Sequence, residues 1–137
     1  MSSIGSTEDR LAVRETLDRY ADGVNQRDAE IWGSVWAKNS EWNLPVVPGY
    51  EEVKGRDNIV NAWLASMKLY PFVHMMCSVG TMRFEGKHCH MRSYTAEVAV
   101  MEDGTEIRPR GQYDDVLVKK KGRWLFEKRA FTPLHGE

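Results

Sequence analysis

A change of hydrophobic periodicity at Pro71 constrains the fold of this chain more than any other feature. Before Pro71, apolar residues recur at the three- and four-residue spacing of amphipathic helices; after it, they alternate with polar residues, as in strands. Helices first and strands second predict an α+β fold, in which N-terminal helices are wrapped by a cone-shaped, curved antiparallel sheet. Such a cone has an open mouth, where a small ligand can bind.

Three helices are expected before Pro71. The first begins near Thr7, the second at the capping residue Asp28 with apolar positions as far as Trp36, and the third near Arg56. Between the last two, alternation around Trp42 predicts a short strand, which nearby prolines confine to a sheet edge or a bulge. Residues 49–55 are expected to form a small hairpin arm.

Four strands are expected after Pro71, at residues 72–84, 88–101, 106–119 and 124–131. Because side chains alternate along a strand, each strand has one face toward the hollow. The predicted inward residues are Cys89, Met91, Ser93, Thr95 and Glu97 on the second strand, Gly111, Tyr113, Asp115 and Leu117 on the third, and Leu125, Glu127, Arg129 and Phe131 on the fourth.

Composition excludes several classes of function. A chain of 137 residues predicts one domain, with residues 1–6 and 132–137 as tails. The formal net charge of −1 argues against nucleic-acid binding. Cys77 and Cys89 make no disulfide framework, and neither signal-peptide features nor an apolar run of membrane-spanning length is present, so we expect a cytoplasmic protein without membrane contact. No metal is expected, since His88 and His90 lack further ligands.

His74 is the residue that most suggests chemistry. It lies in the otherwise apolar run from Tyr70 to Met76, at the start of the first long strand. An isolated imidazole in such a run is either a hydrogen-bonded structural group or a proton carrier that faces a pocket.

Several segments resemble the SnoaL-like branch of the nuclear transport factor 2-like superfamily. The residues that carry the resemblance are 10–20, 36–42, 55–59, His74, 111–115, 122–124 and Arg129. The resemblance extends from about Thr7 to Phe131. It implies the cone-shaped fold, a homo-oligomer (dimer or trimer), bulky ring substrates, and elimination by a His–Asp pair without metal or organic cofactor, as in the family's dehydratase and dehydrochlorinase members.

The residue-by-residue correspondence contains one departure. The family histidine corresponds to His74, a tyrosine to Tyr20, an arginine to Arg129, and the aspartate to Asn25. Asparagine can accept the imidazole N–H bond but supplies no charge, and the same change in a serine-protease triad lowers the rate about 10⁴-fold.

Three alternatives would compensate for Asn25. Asp22 or Asp28 could replace the aspartate, Glu97 could be the charged partner or the base itself, or the substrate could already carry an acidic proton. Asn25 could instead be a helix C-cap, and Arg129 could pair with Glu97 or Asp115 as part of the structure. Tyr20 and Tyr113 could be core aromatics.

We therefore expect a cofactor-independent lyase, dehydratase-like, that acts on a small hydrophobic cyclic or aromatic molecule. His74 would be the base or acid, Tyr20 would donate to an oxygen, Asn25 would orient His74, and Arg129 would hold an anionic group. The expected substrate-binding residues are Tyr113, Glu97, Trp42, Trp63, Met76, Met91 and Phe131. The alternatives are a non-catalytic module that binds a small ligand, a sensing subunit, or an isomerase or retro-aldol lyase that uses the same pocket.

Overall fold

A computed structural model describes residues 2–136 of the chain. Its elements, in chain order, are α1 Thr7–Gln26, α2 Ala29–Ser34, β1 Trp36–Asn43, β2 Val53–Lys54, α3 Arg56–Met67, β3 Phe72–Glu85, β4 His88–Val100, β5 Glu106–Ile107, β6 Arg110–Lys120 and β7 Arg123–His135. The α+β class is confirmed. None of the helices in the described part of the chain combines the length and the apolar character that crossing a membrane requires.

Capping residues set the corner between the first two helices. Ser6 Oγ accepts the Asp9 N–H at 3.0 Å and begins α1. Arg27, with a φ of 53°, ends α1 in the left-handed conformation, and the Asp28 carboxylate then accepts two amides of α2. The two helices touch at Gly23, where an added Cβ would lie 2.8 Å from the backbone of Trp32. The corner therefore requires glycine at that position.

The sheet has the strand order β2-β1-β7-β6-β4-β3, and β5 pairs with β4. The sequence predicted an antiparallel sheet, but β1 runs parallel to β7, so the sheet is mixed. Hairpins force the later strands to be antiparallel, whereas no hairpin joins β1 to β7, and periodicity contains no information about their relative direction.

Several element boundaries differ from the sequence expectation. The strand predicted around Trp42 begins earlier, at Trp36, because α2 ends at Ser34. The segment 106–119 is two strands, since Pro109 interrupts the pairing. Residues 132–135, expected as a tail, extend β7.

Alternation assigns the inward faces of β4 and β6 correctly, because every predicted inward residue from Cys89 to Thr95 and from Gly111 to Leu117 is buried. The prediction fails on β7. Leu117 pairs with Phe126 while Val116 pairs with Lys128, so one extra residue of β7 has no partner. This bulge buries Phe126 in place of Leu125 and Glu127, and then restores the predicted inward position of Arg129.

Aromatic packing joins the helices to the sheet. Trp32 on α2 stacks on Trp63 of α3, with ring centroids 4.7 Å apart and planes 9° from parallel. Trp36 and Trp42 of β1 also pack against Trp32, with their ring centroids 5.5 and 5.4 Å from that of Trp32. Together these four tryptophans hold α2 and α3 against one end of the curved sheet, and they leave a hollow beside them.

Candidate functional site

The hollow is a cavity of about 310 Å³ between α1, α3 and the inner face of the sheet. Much of its wall is aromatic: Tyr20, Trp42, Tyr50, Trp63, Tyr70, Tyr113 and Phe131. A cavity of about 150 Å³ holds benzene, so this one has room for a molecule of about two rings. A wider groove of about 610 Å³ lies on the outside of β1 and β7, but it is open to solvent and its Lys128 is 3.9 Å from Glu41.

Glu97 of β4 is the one carboxylic acid on the wall of this cavity among the described residues. Its backbone is fixed, because its N–H donates to the Pro109 carbonyl at 3.0 Å. Its carboxyl group takes part in none of the side-chain hydrogen bonds of residues 2–136. Burial raises the pKa of this carboxyl to about 7. Glu97 can therefore both lose and regain a proton near neutral pH.

Two buried tyrosines form the polar end of the cavity. The Trp42 Nε1–H donates to the Tyr113 hydroxyl at 3.0 Å. Burial raises the pKa of Tyr113 and raises that of Tyr20 further, to well above its ordinary value. Both groups therefore remain protonated at neutral pH and act as neutral hydrogen-bonding groups.

Arg129 lies behind this aromatic wall and is not part of it. Its guanidinium carbon is 3.7 Å from the ring centroid of Tyr113 and 4.4 Å from that of Tyr20. The Nε–H donates to Asp115 at 2.7 Å, and Nη2 donates to Ser93 Oγ at 2.9 Å. Although burial opposes the charged form, the Asp115 carboxylate keeps the pKa of Arg129 above its ordinary value. Of the two pairings considered for Arg129, the structure has the one with Asp115. Arg129 is not among the residues that line the cavity, and its contact with an anionic substrate stays a prediction.

The expectation that His74 faces the hollow is wrong. Val73 and Met75 line the cavity, while His74 lies exposed on the opposite face of β3. The position of Asn25 explains this register: its Nδ2 donates to the Met75 carbonyl at 2.9 Å, and its Oδ1 accepts the Met75 N–H at 2.7 Å. Asn25 therefore holds the strand and does not orient an imidazole.

The other predicted site residues divide into two groups. Tyr20, Tyr113, Glu97, Trp42, Trp63 and Phe131 all lie on the cavity wall. Met76 and Met91 do not: Met76 is 64% exposed on the outer face of β3, and Met91 is buried away from the cavity.

Asp22 and Asp28, which the sequence offered as replacements for the family aspartate, both lie outside the cavity wall. Asp28 caps α2 through its carboxylate, and Asp22 is exposed. Neither contributes to the cavity wall. Across residues 2–136, His, Cys, Asp and Glu side chains form no group of three or more that could hold a metal ion.

Sequence reasoning missed part of the wall. Tyr50 and Leu44, from the segment between β1 and β2, close one side of the cavity, and Ile107 and Pro109 form another. Tyr50 is held by its hydroxyl, which donates to the Ala62 carbonyl at 3.0 Å. Alternation could have found three of these residues: Leu44 lies in the strand predicted around Trp42, and Ile107 and Pro109 have the same parity as the inward residue Gly111. Tyr50 lies outside the strands, where no periodic pattern marks it.

Comparisons with known proteins agree on the fold. The sequence-family model of the SnoaL-like domain matches residues 5–130 of this chain. The Kfla4162 protein of Kribbella flavida superposes with a TM-score of 0.86 at 17% identity, covering 95% of this chain and 93% of that one. A putative scytalone dehydratase of Novosphingobium aromaticivorans gives a TM-score of 0.84 at 17% identity, with 94% and 86% covered.

A hexachlorocyclohexane dehydrochlorinase, LinA type 3 of Novosphingobium barchaimii, gives a TM-score of 0.80 at 16% identity, with 95% and 89% covered. No curated protein matches the sequence. At these identities the structural likeness establishes the fold and leaves the activity open. The match of the family model over residues 5–130 shows that the chain belongs to the SnoaL-like domain family, in the nuclear transport factor 2-like superfamily.

Proposed function

We propose that this protein is a cofactor-independent lyase that moves a proton on a small hydrophobic cyclic or aromatic molecule, with Glu97 as the acid–base group. The observation that carries the proposal is the carboxyl group of Glu97, which has no protein hydrogen-bond partner among the described residues and lines an otherwise largely apolar cavity. A group that titrates near the working pH is well suited to general acid–base catalysis.

The chemistry needs only this one group. The Glu97 carboxylate removes a proton from a substrate carbon, and the C–H electron pair forms a new double bond as the bond to a neighbouring hydroxyl breaks. The protonated Glu97 then gives its proton to the departing oxygen, which leaves as water. The carboxylate is regenerated, so no oxidant or cofactor is consumed.

The shape and lining of the cavity support a ring-shaped substrate. Its volume of about 310 Å³ exceeds what a single benzene ring needs, and the rings of Trp42 and Trp63 offer flat apolar surface. Two structural neighbours are named a putative scytalone dehydratase and a hexachlorocyclohexane dehydrochlorinase, and both names fit an elimination as the reaction type.

One observation favours a second candidate, a non-catalytic module that binds a small ligand. His74 and Asn25, which correspond to the family's catalytic pair by sequence, are an exposed side chain and a clamp on Met75. A chain without that pair could keep the cavity for binding alone, and in that case Glu97 would only select the ligand.

Substitution of Glu97 separates the two candidates. Solvent deuterium exchange and turnover would be measured over a panel of cyclic hydroxyketones, with ligand affinity followed by tryptophan fluorescence. We expect Glu97→Gln to lose about 10²–10⁴-fold in rate with affinity changed only a few-fold. His74→Gln is the matched control and retains the rate.

Two outcomes would contradict the lyase. If Glu97→Gln keeps the wild-type rate, another group moves the proton. If wild type binds ring compounds but neither exchanges nor converts any of them, the binding module is the better description.

We also infer a homo-oligomer that uses the outer face of β3 and the end of β7. Met76 and Leu134, 64% and 55% exposed, line one surface pocket there, and Phe72, 52% exposed, lies on the same face of β3 as Met76. Exposed large apolar side chains on one face are typical of an interaction surface. A second copy of the chain is the expected occupant. Analytical ultracentrifugation should show a dimer or trimer that Met76→Glu dissociates; a monomeric wild type would refute the inference.

A further inference from the structure

The cavity wall contains one acidic side chain and no basic one. Within the part of the chain that the structure describes, Glu97 lines the cavity, and no Lys, Arg or His does. The other titratable groups on the wall are four tyrosines: Tyr20, Tyr50, Tyr70 and Tyr113. When Glu97 ionises, its negative charge therefore has no counter-charge inside the cavity.

The neighbours of Glu97 on the sheet offer its carboxyl no partner. Glu97 pairs with Met75 of β3, and its N–H donates to the Pro109 carbonyl at 3.0 Å. Both neighbours line the cavity and have apolar side chains. Arg110 is not on the wall, and its Nη1 donates to the backbone carbonyl of Glu97, at 3.5 Å, instead of to the carboxyl. The carboxyl thus loses contact with water on folding, and no protein charge among residues 2–136 compensates for that loss.

The aromatic part of the wall is complementary to a cation. The faces of aromatic rings carry partial negative charge, and they attract cations. Behind the wall, the Arg129 guanidinium already lies 4.4 and 3.7 Å from the ring centroids of Tyr20 and Tyr113. In residues 2–136, five other rings of the wall carry no protein cation over their faces: Trp42, Tyr50, Trp63, Tyr70 and Phe131. These rings are available to a cation that enters the cavity.

We propose that the cavity binds ring compounds that carry a basic nitrogen, as protonated amines whose ammonium group pairs with Glu97. This inference rests on the cavity as the ligand site of the proposed function, but it does not require Glu97 to catalyse a reaction. The ammonium supplies the missing counter-charge, and the rings supply apolar surface and cation–π attraction. Because the carboxyl is already removed from water, only the ligand loses hydration on binding. A neutral ligand of the same shape leaves an ionised Glu97 unpaired.

The ion pair has a consequence for each candidate function. In the proposed lyase, a ring amine is a competitive inhibitor, because a carboxylate that is paired with an ammonium is a weaker base. In the binding module, the amine is the ligand itself, and Glu97 selects it.

The ion pair also couples binding to the release of protons. Burial raises the pKa of Glu97 to about 7, so the carboxyl of the empty cavity is partly protonated near neutral pH. The ion pair requires the carboxylate, so an ammonium that binds must displace the proton of Glu97. A neutral ligand has no such requirement.

The test compares two probes of nearly the same shape, 2-aminotetralin and 2-tetralol, which carry an ammonium and a hydroxyl. Dissociation constants would be measured by calorimetry from pH 5 to pH 8, where the amine stays protonated as Lys does. Wild type should prefer the amine about tenfold at pH 8, and the preference should decrease toward pH 5 as Glu97 takes up a proton. At pH 7 the amine should release about half a proton, seen as a dependence of the binding heat on the buffer, and the alcohol should release none.

Glu97→Gln should abolish both the preference and the proton release, and it should keep the affinity for 2-tetralol within a few-fold. Glu102→Gln is the matched control, because it removes the same charge from an exposed position just beyond the end of β4. It should retain the preference of wild type for the amine.

The outcomes separate this inference from the proposed function. A wild type that fails to bind 2-aminotetralin, or binds it no more tightly than 2-tetralol at pH 8, overturns the inference even if turnover requires Glu97. A Glu97→Gln variant that keeps the preference overturns it as well. If this variant proves unfolded by circular dichroism, the proton count of wild type at pH 7 decides, since release supports the ion pair and its absence refutes it. Turnover that survives Glu97→Gln refutes the proposed function alone.

Discussion

The side-chain amide of Asn25 forms two hydrogen bonds with the backbone of Met75, one in each direction, at 2.9 and 2.7 Å. β3 is the last strand of the sheet, so these groups have no neighbouring strand to pair with. Asn25 takes that place and joins α1 to the sheet edge. These hydrogen bonds fix the orientation of Met75. Because side chains alternate along a strand, they also place Val73 on the cavity side of β3 and His74 on the opposite side.

Asn25→Asp should destabilise the protein at neutral pH. A carboxylate still accepts the Met75 N–H but cannot donate to the Met75 carbonyl, which it would then repel. We expect a loss of about 1–3 kcal/mol in unfolding free energy, measured by urea titration.

The direction of the pH dependence tests whether the charge of the new carboxylate causes the loss of stability. The new carboxyl would have a raised pKa in the folded state, so its protonated form is the one that folding favours, and the deficit relative to wild type should shrink as pH falls from 7 to 4. Asp28→Asn, at a helix cap, is a useful comparison, since its amide oxygen can still accept the capping bonds. An Asn25→Asp variant as stable as wild type at pH 7 would refute the clamp.

Glu97 should make the protein less stable as the pH rises from about 4.5 to about 7. Burial raises its pKa from 4.5 to about 7, so between these values the folded protein binds more protons than the unfolded chain. Stability contributed by the protonated carboxyl is therefore complete below about pH 4.5 and lost as pH rises to about 7, with a total effect of at most about 3 kcal/mol.

Glu97→Gln removes this titration. The unfolding free energy of the variant relative to wild type, measured in urea from pH 4.5 to 8.5, should rise up to about pH 7 and level off above it. A difference independent of pH would mean that the carboxyl is not desolvated. In the proposed lyase the same titration makes kcat/KM increase with pH to a plateau above about pH 7, because the base form is required.

Much of the fold can be predicted from the sequence. The inward faces of β4 and β6 can be predicted as well, because polar and apolar residues alternate along these two strands. On β4 one face has small or apolar residues such as Cys89, Ser93 and Thr95, and the opposite face has Arg92. On β3 both faces are largely apolar, with Val73 and Met75 on one and Phe72 and Met76 on the other. Periodicity cannot choose between two apolar faces, so the side of His74 was not predictable.

The assignments on β7 failed for a different reason. A bulge changes the alternation by one residue, and its position depends on pairing with β6, which no single strand encodes. Arg129 was nevertheless placed inward, since it lies beyond the bulge. Its pairing with Asp115 was one of two alternatives in the sequence, and only three-dimensional register brings Asp115 opposite it.

The Asp115–Arg129 pair should be essential for folding. Both side chains are fully buried, with Nε and Oδ1 2.7 Å apart. Asp115→Asn leaves the guanidinium without a charged partner, and we expect a loss of about 3–5 kcal/mol in unfolding free energy, with a lower Tm.

The neighbouring carboxylate supplies the control. Asp114 is on the same strand but exposed, so Asp114→Asn should change the unfolding free energy by less than about 0.5 kcal/mol. Equal effects of the two substitutions would mean that the buried pair contributes nothing specific.

Gly111 is expected to control the free space inside the cavity. An added Cβ would lie 2.1 Å from the Phe131 ring and 3.0 Å from Thr95 Oγ1, so Gly111→Ala must displace the ring. Because Phe131 lines the cavity, its displacement takes up volume that a ligand needs, and the crowding of side chains lowers stability. We expect at least a tenfold weaker affinity for two-ring probes by fluorescence titration, with a loss of about 1–3 kcal/mol in stability. Gly136→Ala, where nothing lies within 4 Å, is the control and should change neither. If Gly111→Ala destabilises the protein but binds naphthalene like wild type, the ring moves away from the cavity and Phe131 does not limit the size of the ligand.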